Sequence, residues 1–181
     1  MSAIGSSLTS VFDFAWNRFT SRLDGLSDGK YLWEPVPACW SIRRSAGGPW
    51  VLDGEGGGGP APDPLPVTTI AWRIGHIGEL VLRGFTDRFF AGSTDDTRSG
   101  LPSSADGARQ FLGEQYSRWR AGMTSAGDDL WWAALGPDWG PYSEANGVDL
   151  ALHVLDEVVH HAAEVSLLRD LYLYRDELGR N

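Results

Sequence analysis

The stretch LHVLDEVVHHAAEVSLLRDLY, residues 152–172, constrains this chain more than any other. Its apolar residues recur at helical spacing, which predicts one amphipathic helix over about 148–174. Yet Glu157, His160, His161 and Glu164 interrupt the apolar stripe. Projected at about 100° per residue, all four share the arc of Leu150, Leu168 and Leu171. Charges in an apolar interior are costly unless they are paired or bind a metal. The fold must therefore bring a partner to this helix.

Three further segments carry the same period. Leu8, Val11, Phe12, Ala15, Trp16, Phe19, Leu23 and Leu26 predict a helix over 7–26, closed by Gly25 and Gly29. PVTTIAWRIGHIGELVLRGFTDRFF starts a second helix behind Pro66, with Thr68 or Thr69 as its cap, and its pattern runs to Phe90. Ala108, Phe111, Leu112, Tyr116, Trp119 and Met123 mark a third over 104–124, capped by Ser104. No alternating strand pattern competes with these. The expected fold is all-α: an up-down-down-up four-helix bundle, one domain over 1–181, with long aromatic, Pro/Gly-rich connections. Seven of the ten prolines fall in 30–67, and 54–62 is expected to be a surface loop.

Composition removes several function classes. A hydrophobic content of 42% with no apolar run near the ~20 residues of a membrane span fits a globular protein without a membrane partner. MSAIGSSLTS lacks the charged region and apolar core of a signal peptide, so the expected location is cytoplasmic. The lone Cys39 excludes an internal disulfide framework and any CxxC site. With 15 basic against 24 acidic residues and a net charge of −9, nucleic acid is not an expected partner. Trp33, Trp40, Trp50, Trp131, Trp132 and Trp139 lie in the connections, which suggests that these fold down over something.

Glu157 and His161, four residues apart, converge one helical turn from each other. His76 is the only histidine outside the last helix, and from the second helix it completes a His/Glu/His set with a position left open. The alternative is a Glu–His hydrogen-bond network that braces the core without a metal. A shift of one residue gives Asp156 and His160 as the pair. Asp156 falls towards the edge of the apolar arc, which favours Glu157 and His161. His160 and Glu164 are then candidates to orient the ligands by hydrogen bonds. His153 is expected to be structural or to lie at the rim of the site, and Arg73 and Arg43 are candidates for surface ion pairs or for holding an anionic substrate group.

YLWEPVPACWSIR after the first helix, TTIAWRIGHI in the second and DEVVHHAAEVSLLRDLY in the fourth make the chain similar to the DinB-like, damage-inducible superfamily. That group of four-helix bundles includes mycothiol-dependent maleylpyruvate isomerase and related thiol S-transferases. The resemblance implies a divalent metal held by His76, Glu157 and His161. Its fourth-helix pair is Glu-x3-His, as in the isomerase branch, where other members carry His-x3-His. It also implies a homodimer.

A nitrogen and oxygen donor set suits zinc, with nickel, iron or manganese as alternatives. A thiol near such a cation loses its proton and becomes a nucleophile. The function expected by resemblance is thus a thiol S-transferase or isomerase of mycothiol type, with a small electrophile and a low-molecular-weight thiol as partners and the tryptophan-rich connections as pocket walls. Two other readings stand beside it. One is a metal-dependent hydrolase with Glu164 as general base; the other is a non-catalytic metal-binding or stress-response bundle.

Overall fold

The computed structural model of the protein describes residues 2–54, 62–93 and 100–178. The surface loop expected over 54–62 lies almost wholly outside them. Most described residues are helical. Helix α1, Ala3–Leu23, begins at Ser2, whose side chain accepts from Gly5 N–H. A single turn, α2, spans Asp28–Tyr31. Helix α3 covers Ile70–Gly75, and its axis continues in the wider π-helical turns His76–Arg83 and Thr86–Phe90. Helix α4 is Ala105–Ser125, capped by Ser104. The short α5 is Asp128–Trp132, and α6 is Gly147–Leu173. At the start of α6, Asn146 and Asp149 form a reciprocal capping box.

Helix α1 packs on α4 and α6, and α3 with its π-helical continuation packs on the same two. Phe12, Phe19, Ile74, Ile77, Leu112, Trp119, Val154 and Val165 fill the space between them with almost no exposure. Two glycines let α3 approach its neighbours. A Cβ at Gly75 would lie 2.9 Å from the Leu52 side chain, and one at Gly78 would lie 2.3 Å from the Phe111 ring. His76 stands between them, where the helix widens. Such widened turns are frequent at functional sites.

The section expected to be irregular contains a small sheet that the pattern did not reveal. Strand β1, Ile42–Arg44, pairs antiparallel with β2, Trp50–Leu52, in the register Ile42 opposite Leu52. Three residues per strand are too few for an alternation to show. This hairpin fixes the start of α3. Trp40 exchanges backbone hydrogen bonds with Val67 and Thr69, each 2.9 Å. The Ser41 and Thr69 hydroxyls meet at 2.9 Å, and Trp72 Nε1 donates to the Asp53 carbonyl at 2.9 Å.

The tryptophans behave differently from one another. Trp131 is fully buried and part of the core, whereas Trp132 beside it is exposed. Trp33 packs edge-on against Tyr172, and Trp40 lies against Trp72. Trp139 stacks on Phe85, which also meets Tyr142 and His153.

Candidate metal centre

The seam between α3 and α6 holds three of the four polar residues that the sequence placed among leucines: Glu157, His161 and Glu164. His76 enters from the first widened turn after α3. Glu157 and His161 enter from successive turns of α6. Their donor atoms lie within 4.8 Å of one another. The His76 and His161 rings meet edge to face, with centroids 4.8 Å apart. One carboxylate oxygen, Glu157 Oε2, is 3.3 Å from His76 Nε2 and 3.2 Å from His161 Nε2.

The other nitrogen of His161 is engaged. Nδ1 lies 2.5 Å from Glu164 Oε2, and the same oxygen is 2.9 Å from Arg73 Nε. Arg73 Nη1 also comes within 3.2 Å of Nδ1. A guanidinium only donates, so Nδ1 cannot accept from it and donate to Glu164 with one proton. The shorter bond to an ionised carboxylate prevails, and Nδ1–H donates to Glu164. Burial pushes the Glu164 carboxyl up, but the bond from His161 and the charge of Arg73 outweigh this and hold it below its ordinary range. Burial likewise pulls Arg73 down, opposed by Glu164 and Glu157.

With its one proton on Nδ1, a neutral His161 turns the lone pair of Nε2 towards a carboxylate oxygen 3.2 Å away. Two acceptors facing each other at that distance repel. The arrangement closes only around a positive charge, carried as a proton or as a metal ion. Two imidazole Nε2 atoms and one carboxylate oxygen are also a donor set that a first-row divalent cation accepts. By both tests the residues fit a metal.

His160 departs from its expected place on the buried arc, since 63% of its side chain is exposed. The buried face of α6 is centred on Ala151, Val154, Val158, His161 and Val165. That centre is roughly 140° from His160 on the helical projection. The three leucines used to draw the arc lie at one margin of this face. His160 Nε2 reaches Glu164 Oε1 at 3.5 Å from the solvent side. Asp156, its partner in the alternative pairing, is exposed as well. His153 stands apart from the cluster, with its Nε2 3.2 Å from the Tyr142 hydroxyl.

Arg73 differs from the surface ion pair expected of it. Only 18% of its side chain is exposed, and it lies over the Trp72 ring at 4.9 Å. That ring in turn stacks on His76, with centroids 5.1 Å apart and planes 12° from parallel. A signal for Arg73 was present: it precedes His76 by three residues and so shares its helix face. Arg43 fits the expectation, pairing with Glu34 at 2.6 Å and Asp53 at 3.1 Å near the surface. Cys39 is buried, its thiol 2.9 Å from the Val36 carbonyl.

The sequence profile of the DinB superfamily matches residues 12–165, a span that includes all three residues of the cluster. The chain belongs to the DinB superfamily. No curated protein and no solved structure matches it. Among the described residues, no helix is long and apolar enough to cross a membrane.

Proposed function

We propose that this chain is a divalent-metal-dependent enzyme in which His76, Glu157 and His161 hold the ion and a small thiol is activated for transfer to an electrophile. One observation carries the reading. Both imidazole Nε2 atoms approach a single oxygen of Glu157 while Nδ1 of His161 is already committed to Glu164. When bound, a divalent cation supplies Lewis acidity and lowers the pKa of a thiol at an open position.

The protein's own groups prepare that position. Glu164 fixes the tautomer of His161, and the Trp72 ring holds the plane of His76. Both oxygens of Glu164 face cationic or donor groups, on Arg73, His161 and His160. This favours the thiol reading over hydrolysis, because a general base needs an oxygen free to take a proton from water. Superfamily membership supports the remaining parts of the proposal: zinc as the metal, a mycothiol-type thiol, transferase or isomerase chemistry, a single up-down-down-up bundle domain, a cytoplasmic location and a homodimer. The net charge of −9 keeps nucleic acid out of it.

Elemental mass spectrometry on purified wild type, His76→Ala and His161→Ala tests the centre. About one divalent ion per chain in wild type is expected, with loss in both variants, as a three-residue mononuclear site requires. A wild type that is metal-free and cannot be reloaded rejects the proposal. With loaded protein, turnover of a small electrophile only when thiol is present supports thiol transfer. Turnover without thiol supports hydrolysis instead.

A further inference from the structure

The geometry points to Arg73 as a positioning residue of this centre: its guanidinium forms an ion pair with Glu164, the group that orients His161 so that it presents Nε2, and its charge favours a singly negative ligand at the open position. This rests on the metal reading above. Three contacts locate the side chain. Its Nε is 2.9 Å from Glu164 Oε2, its Nη1 is 3.2 Å from His161 Nδ1, and its Cζ is 4.9 Å from the centre of the Trp72 ring. Trp72 is itself held by the hydrogen bond from Nε1 to the Asp53 carbonyl. Arg73 therefore touches Glu164, the group that orients His161, and Trp72, the ring on which His76 stacks. A flexible ammonium in its place would keep the charge without the planar fork that lies on the ring.

The charge has a second consequence. Glu157 and Glu164 contribute two negative charges and Arg73 one positive, with both histidines neutral as ligands. A divalent ion then leaves the centre with one net positive charge. A thiolate or another monoanion neutralises it, whereas a neutral ligand does not. Without Arg73 the loaded centre would already be neutral, and an anion would gain less. Arg43, the other arginine considered for an anionic group, lies within the hairpin and is tied to Glu34 and Asp53. The guanidinium also stands against Glu164 where a second cation would have to sit, which opposes loading of the His160, His161 and Glu164 group.

The test uses cobalt(II) as the metal probe and 2-mercaptoethanol as the thiol probe, on wild type, Arg73→Gln, Arg73→Lys, Glu164→Gln and the Arg73→Gln/Glu164→Gln double variant. Cobalt affinity is read by competition with a chromophoric chelator, and thiol affinity from the visible spectrum of the loaded protein. Arg73→Gln is expected to weaken cobalt binding about 10–100-fold, as loss of an orienting partner does. Glu164→Gln should do the same, and the double variant should add little, because both act through His161. Thiol affinity should fall between about threefold and 100-fold in Arg73→Gln, depending on how strongly the charge is screened. Arg73→Lys should retain thiol affinity while losing part of the cobalt affinity.

Far-UV circular dichroism checks folding. If Arg73→Gln loses its helical signal, the Arg73→Lys and Glu164→Gln affinities decide the matter. Wild-type cobalt and thiol affinities in the folded variants would overturn the role of Arg73 and leave the metal centre standing. A wild type that takes up no cobalt would overturn both.

Discussion

Between α1 and α4, the Tyr116 hydroxyl donates to Asp13 Oδ1 at 2.8 Å, and Arg120 donates to both oxygens of Asp13 at 2.8 and 2.9 Å. Between α3 and α6, Glu157 places one oxygen against two imidazole nitrogens, one of which has no proton to give while His161 is neutral. Both seams hold a partly exposed carboxylate between helices, with 33% of the Asp13 side chain and 27% of the Glu157 side chain meeting solvent. In the first, each donor meets an acceptor and the group is complete within the chain. In the second, a neutral His161 leaves two acceptors facing each other, and the group closes around an added positive charge, a proton or a metal ion. Satisfied polar groups between helices brace a fold, whereas a converging surplus of one kind marks a binding site.

The largest expected effect is at the incomplete seam. Zinc at 100 to 1,000 times its dissociation constant should stabilise wild type by about 2.7 to 4.1 kcal/mol. That gain should vanish in His76→Ala and His161→Ala, while Asp13→Ala should keep it. Calorimetric melting with and without zinc measures all four. A zinc-dependent rise of equal size in His76→Ala would show that the ion binds elsewhere.

The contrast also explains what the amino-acid pattern disclosed. Helix α6 was legible because Glu157, His161 and Glu164 interrupt a regular apolar period, and His76 because the chain has only one histidine outside that helix. The helical segments and the caps at Thr69 and Ser104 followed from local chemistry. The side on which His160 lies did not. A wheel drawn from three leucines misjudged the centre of a face that valines and Ala151 define. Nor did the hairpin show, since its three-residue strands are held by pairing and by contact with α3 rather than by a period of their own. The Asp13–Tyr116 bond joins residues 103 apart and leaves no local trace. Arg73 was visible as a charge near His76, but its burial depends on the approach of α6.

Smaller effects separate the seams in the metal-free protein. Asp13→Ala removes the acceptor of the part-buried Tyr116 hydroxyl and the partner of Arg120, and should cost about 1–3 kcal/mol. Glu157→Ala should cost less than about 1 kcal/mol without metal, because it also relieves the facing acceptors. Chemical denaturation in the presence of a chelator compares the two. Equal losses would mean that the α3–α6 seam braces the fold as fully as the other does. Tyr116→Phe should fall between them at about 1 kcal/mol, since it removes one neutral donor and leaves the Arg120 pair intact.

The smallest effect concerns acid. The hydrogen bond from Arg120, with a further one from Tyr116, holds the Asp13 carboxyl below its ordinary range despite partial burial. A carboxyl depressed in the folded state contributes stability that is fully present above its unfolded pKa, about 3.9. That contribution fades as the pH falls through the lower folded value. Melting temperatures of metal-free wild type and Asp13→Asn should therefore differ most at pH 5–6 and converge below about pH 4. Glu164, also held below its range, has the same sign, and Glu164→Gln should converge on wild type in the same direction. A gap between wild type and Asp13→Asn that stays constant from pH 6 to pH 3 would show that Asp13 acts through shape and neutral hydrogen bonding. In that case the completeness of the α1–α4 seam would not depend on its charge, and the distinction from the α3–α6 seam, which closes only around an added positive charge, would be sharper still.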